Sequence, residues 1–126
     1  MIPVPGGRLY AVAEGDGPPI VLLHGLTASR RYVVHGSRLL PRRGFRTVSY
    51  DARGHGRSEG RAMDFGWYGD EDLAGAVTYL RGRDDVDPDR IGLRGLSMGG
   101  EQALGAMAAV SDARAVVAEG ATGRLA

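Results

Sequence analysis

The segment Gly95-Leu96-Ser97-Met98-Gly99 constrains this chain more than any other stretch. It separates residues 90–94, which read as a strand, from residues 99–109, which read as a helix. A strand that turns into a helix so abruptly leaves no room for a Cβ at either glycine. The serine between them is left on a strained backbone, with its hydroxyl exposed at the edge of a sheet. The helix that follows aims its free N–H groups and the positive end of its dipole at that hydroxyl. The five residues alone fit an ordinary turn serine as well as a nucleophile. The strand–turn–helix setting favours the nucleophile.

The remaining pattern alternates strand and helix, as expected of an α/β fold with a mostly parallel sheet. Residues 8–14 read as a first strand, closed by the turn Gly15-Asp16-Gly17-Pro18-Pro19. The apolar run Ile20-Val21-Leu22-Leu23 has the character of a central strand buried on both faces. Tyr32, Val33, Gly36, Leu39 and Leu40 follow helical spacing, and Pro41 and Gly44 are expected to stop that helix. A strand over 45–50 leads into a glycine-rich loop over 52–60, then a helix over 67–81. Leu73, Val77 and Leu80 share one face of that helix, with Asp70, Glu71 and Asp72 near its positive end. The turn Asp87-Pro88-Asp89 precedes the serine's strand, and residues 113–118 form a last strand. No repeat or linker divides the chain, so residues 1–126 are expected to form one domain.

Composition narrows the chemistry. All sixteen basic residues are arginine and there is no cysteine. Lysine-dependent phosphate loops and Schiff bases are excluded, as are disulfides, thiolate metal sites and cysteine nucleophiles. The three histidines form no HExxH, and a net charge of +1 does not suggest a nucleic-acid partner. Arg30, Arg31, Arg38, Arg42, Arg43 and Arg46 occupy an acid-free stretch that reads as a solvated helix face. Asp85, Asp87 and Asp89 open like a calcium loop. Arg90 and Leu96 stand where such a loop needs glycine and glutamate, so no metal is expected. Gly54-His55-Gly56 with Gly60 misses the dinucleotide fingerprint by one residue. No apolar run is long enough to span a bilayer and no secretory leader is evident, so a cytoplasmic location without a membrane span is expected.

Two further motifs complete the pattern. Leu23-His24-Gly25-Leu26-Thr27 follows the most apolar strand, and Asp51-Ala52-Arg53-Gly54-His55-Gly56-Arg57-Ser58 follows the next one. With the serine turn, in this order and spacing, they resemble the α/β-hydrolase fold family over nearly the whole chain. The resemblance implies a three-layer α/β/α build with a mostly parallel sheet. It implies Ser97 as the catalytic nucleophile and the N–H groups of Leu26 and Met98 as the oxyanion hole. His24 and Gly25 would shape the turn, Gly95 and Gly99 the elbow, and Gly54 and Gly56 the loop. Asp51 and Arg53 would tie that loop through charged hydrogen bonds, and His55 would organise it rather than act as a base. The family attacks small-molecule acyl substrates (esters, thioesters or amides, in esterases and peptidases alike) without a cofactor.

The resemblance breaks after Ser97. Glu101, Asp112 and Glu119 are the acids that follow, and no histidine does. Family members place the triad in the chain order serine, acid, histidine. The fold is therefore expected to be truncated after the family's sixth strand, without the cap and the last strands that carry the base. Some relatives place their acid where Glu119 stands; the bland reading is a loop carboxylate. His35 falls too early to serve. Three readings stay open: the N-terminal part of a serine hydrolase, a short hydrolase completed by another chain, or a non-catalytic binding module. The apolar edge Ala115-Val116-Val117-Ala118, expected to lack a partner strand, is a candidate for self-association.

Overall fold

The computed structural model describes residues 1–4, 7–24, 37–59, 69–106 and 113–120. Seven strands are described: β1 (Ile2–Val4), β2 (Gly7–Leu9), β3 (Ala11–Glu14), β4 (Pro19–Leu23), β5 (Arg46–Tyr50), β6 (Ile91–Leu96) and β7 (Ala113–Glu119). The last five form one sheet in the order β3-β5-β4-β6-β7, while β1 and β2 make a separate antiparallel pair. Within the sheet β3 runs antiparallel to β5, and β5, β4, β6 and β7 are parallel to one another. The apolar run of residues 20–23 is indeed the central strand, with Val21, Leu22 and Leu23 all buried.

The single strand expected over 8–14 is two strands. Leu9 pairs with Ile2, whereas Ala11 pairs with Tyr50. The chain changes partner at Tyr10, whose N–H donates to Ser58 Oγ (2.8 Å) and whose carbonyl accepts the Asp51 N–H (2.9 Å). The hydrophobic run of residues 9–13 continues through the switch, because apolar character reports burial and not partner identity.

Helix α1 (Gly69–Arg81) buries Leu73, Ala76, Val77 and Leu80. They pack against Val21, Leu23, Val48, Ile91 and Leu93, alternate residues that share one face of the sheet. Helix α2 (Met98–Ala106) adds Ala103 to the same core. The apolar stripe at helical spacing therefore lands where the sequence places it. The helix expected over 32–40 lies mostly outside the described residues. Its described end is a 3₁₀ helix, Ser37–Arg43, which contains Pro41 instead of stopping at it. The proline ring holds φ near the value a 3₁₀ turn uses, so the run continues to Gly44 at φ +90°.

Arg46 departs from the expected solvated face. Its side chain is only 13% exposed, and it joins three segments at the start of β5. Nε donates to Gly15 O (3.2 Å), one terminal nitrogen to Asp16 (3.0 Å) and the other to Asp85. Arg83 also holds Asp85, at 2.9 and 3.0 Å. The two guanidiniums, Arg83 foremost, hold the Asp85 carboxyl well below the usual carboxylate range. Asp87 accepts the Asp89 N–H (2.9 Å), so this aspartate series works as turn chemistry and ion pairing.

Candidate active site

Ser97 has φ +53° and is the one non-glycine residue with positive φ among the described residues. Left-handed backbone costs a side chain about 1–2 kcal/mol, so the surroundings must enforce it. The flanking glycines show how. A Cβ on Gly95 would overlap the carbonyl of Gly99 and stand 2.5 Å from Gly100 N. One on Gly99 would lie 2.5 Å from the Leu23 carbonyl carbon and 2.7 Å from His24 O. The end of β4 thus presses directly on the first turn of α2, and only a glycine fits between them. Main-chain bonds complete the grip. The Ser97 N–H donates to Glu119 O (2.7 Å), and Ser97 O accepts the Glu101 N–H (2.9 Å). The side chain is left exposed at the mouth of the turn. Met98 opens α2, in the first turn where N–H groups lack an intrahelical acceptor.

His24 is buried, and its Nε2 accepts the Ala52 N–H at 2.8 Å. A ring nitrogen that accepts from a main-chain donor carries no proton, so His24 is neutral and protonated on Nδ1. Its ring lies 5.2 Å from that of His55, tilted by 58°. His55 is buried as well, and its Nδ1 donates to Arg53 O (3.0 Å). Both rings are engaged with the main chain of the loop over 51–59, as a structural role requires.

Side chains tie that loop. Buried Asp51 accepts the Arg57 N–H at 2.9 Å, and its carboxylate lies where a Cβ on Gly56 (φ +50°) would sit. The Ser58 hydroxyl donates to Asp51 O. Gly54, at φ +75°, carries the other left-handed turn. Arg53 reaches Asp72 on α1 at 2.6 Å, with side-chain exposures of 16% and 3%. Sequence reasoning assigned Asp72 to the helix dipole and missed this pair. Beside it, burial pushes the Tyr50 phenol above its ordinary range and the Asp72 charge adds to the shift. The Tyr50 hydroxyl has no hydrogen-bond partner among the described residues.

Gly25, Leu26, His35 and Asp112 lie outside the described residues, so the expected second oxyanion donor has no described geometry. The Glu119 carboxylate is half exposed and faces Arg94, with Oε1 3.5 Å from the guanidinium. Arg94 was overlooked. A charged residue in the alternating strand of 90–94 was the available signal. A cavity of about 180 Å³ lies beside Arg46 and Val48, lined by Ala11, Ala13, Leu80 and Arg83. Its lining runs from Arg46 at the start of β5 to Ala11, the register partner of Tyr50, and Ser97 is not among its described lining residues. No helix among the described residues is long and apolar enough to cross a membrane.

Known proteins resemble this chain in sequence and fold. The chain is 37% identical over 103 residues to the thiohydrolase AneE of Aspergillus aculeatus, a match covering 79% of this chain and 32% of that protein. The α/β hydrolase GrgF from Penicillium sp. sh18 superposes with a TM-score of 0.82 at 25% identity, covering 94% of this chain and 43% of that one. The esterase EaEST from Exiguobacterium antarcticum gives 0.78 at 26%, covering 95% and 44%. The chain therefore spans about a third of the first relative and under half of the two structures. The family profile described as "alpha/beta hydrolase fold" matches residues 18–123, and with the central parallel strands and the strained serine between β6 and α2 this shows that the chain belongs to the α/β-hydrolase fold family.

Proposed function

We propose that Ser97 is the nucleophile of a serine hydrolase that cleaves a small-molecule ester, thioester or amide through an acyl-enzyme. The observation that carries this reading is the strained, exposed serine at the start of α2. Such strain persists where a site requires it, and the first turn of α2 presents N–H groups toward developing negative charge. In the first step Ser97 Oγ attacks the substrate carbonyl carbon and its proton passes to a base. The carbonyl oxygen takes the negative charge against the N–H groups of Met98 and Leu26. The tetrahedral adduct collapses, the alcohol, thiol or amine leaves with the proton, and water releases the acid. Among the described residues His24 and His55 are both engaged with the main chain, so neither is assigned as that base. The names of the relatives, a thiohydrolase and an esterase, support the acyl substrate class.

A fluorophosphonate probe tests the assignment. Stoichiometric labelling at Ser97, lost in Ser97→Ala, is the expected result where the base is present together with these residues. A folded protein that has the base and stays unlabelled would instead favour a binding module that keeps the fold without the chemistry.

A further inference from the structure

Ser97 is held to the end of β7 by a contact that no side-chain motif in the sequence announces. Its N–H donates to the Glu119 carbonyl at 2.7 Å, the shortest of the turn, loop and cap main-chain bonds among the described residues. The β6–β7 register sets Leu96 opposite Glu119 and Arg94 opposite Val117, so Arg94 and Glu119 share one face of the sheet. The Arg94 guanidinium reaches Glu119 Oε1 at 3.5 Å, and the two side chains are 24% and 50% exposed. Immediately afterwards Gly120, at φ +62°, turns the chain out of the sheet. Arg94 Nε is buried and has no hydrogen-bond partner among the described residues. A guanidinium in that condition is an unfavourable occupant of an inner strand. What it gains there is a hold on the residue whose carbonyl fixes Ser97.

We infer that Arg94 and Glu119 are positioning residues for Ser97, acting through the main-chain carbonyl of Glu119. The inference rests on Ser97 being the nucleophile. It assigns the Glu119 carboxylate to the anchoring of β7 and not to the proton relay, because Oε1 is turned to Arg94.

The test is the second-order rate of Ser97 phosphonylation by the fluorophosphonate probe, followed across pH, together with amide hydrogen exchange at Ser97. Arg94→Met and Glu119→Ala are each expected to slow labelling roughly tenfold at every pH, since small displacements of a reacting group are costly. The double variant is expected to be no slower than either single one, because the two residues act as a pair. Glu119→Gln keeps an acceptor for Arg94 and is expected to recover most of the loss. Exchange of the Ser97 amide should quicken in Arg94→Met relative to the Leu93 amide. If Glu119→Gln is as slow as Glu119→Ala, the carboxylate serves the relay and the inference fails. It fails equally if Arg94→Met leaves both labelling and exchange unchanged. Should Arg94→Met not fold, Arg94→Lys, which keeps the charge and loses the planar fork, is measured in its place. If the unmodified chain takes up no probe, the Ser97 amide exchange alone decides whether the pair holds the turn, and an unchanged exchange rate in Arg94→Met overturns the inference.

Discussion

The loop after β5 and the end of β7 lie on either side of β6, and they are secured in opposite ways. Residues 51–59 are stitched by side chains: Asp51 to the Arg57 N–H, Arg53 to Asp72, and His24 to the Ala52 N–H. Each tie needs one residue type in one place, and most of the groups involved are buried. The end of β7 is secured by its main chain and by one long ion pair, while Val117 stays 50% exposed. One of these two regions is thus held by chemistry specific to particular side chains. The other is held by hydrogen bonds that nearly any residue could make.

Three substitutions can break or sharpen that contrast. Arg53→Met should have the largest effect, because it leaves Asp72 buried beside a neutral side chain. A loss of about 3 kcal/mol or more in urea unfolding is expected; a loss below 1 kcal/mol would mean the loop does not depend on its ion pair. His24→Ala comes next, at about 2 kcal/mol, from the orphaned Ala52 N–H and the space left beside His55. Added imidazole or a polar replacement such as His24→Gln should restore part of it only if the acceptor, and not the ring volume, matters. Val117→Thr should be smallest, within about 0.5 kcal/mol in the same unfolding assay. A cost for Val117→Thr as large as that for His24→Ala would erase the distinction between the two sides.

The contrast also explains how much of the molecule is legible in the sequence. The order of strands and helices, the central place of residues 20–23 and the inner face of α1 follow from apolar periodicity, which physics imposes on any buried element. The turn around Ser97 and the loop over 51–59 are legible because glycines and charged residues are needed there and nowhere interchangeable. The split of residues 8–14 at Tyr10 is silent, since the hydrophobic run of residues 9–13 continues through the change of partner. The Ser97–Glu119 bond is silent too, since a carbonyl belongs to every residue. Arg46 and Arg53 show a third kind of opacity. Their charge is visible in the sequence, but the acids they meet, Asp85 and Asp72, are distant along the chain and become neighbours only through the fold.

The backbone of Ser97 has a consequence for how this position changes over generations of variants. At φ +53° the residue that fits without strain is glycine, and every side chain there is carried at a loss of folding stability. A library of this chain screened for heat tolerance alone would therefore drift toward glycine at residue 97, and would reach its sturdiest members by discarding the hydroxyl. Durability favours glycine at that torsion angle, and the proposed nucleophile requires serine there.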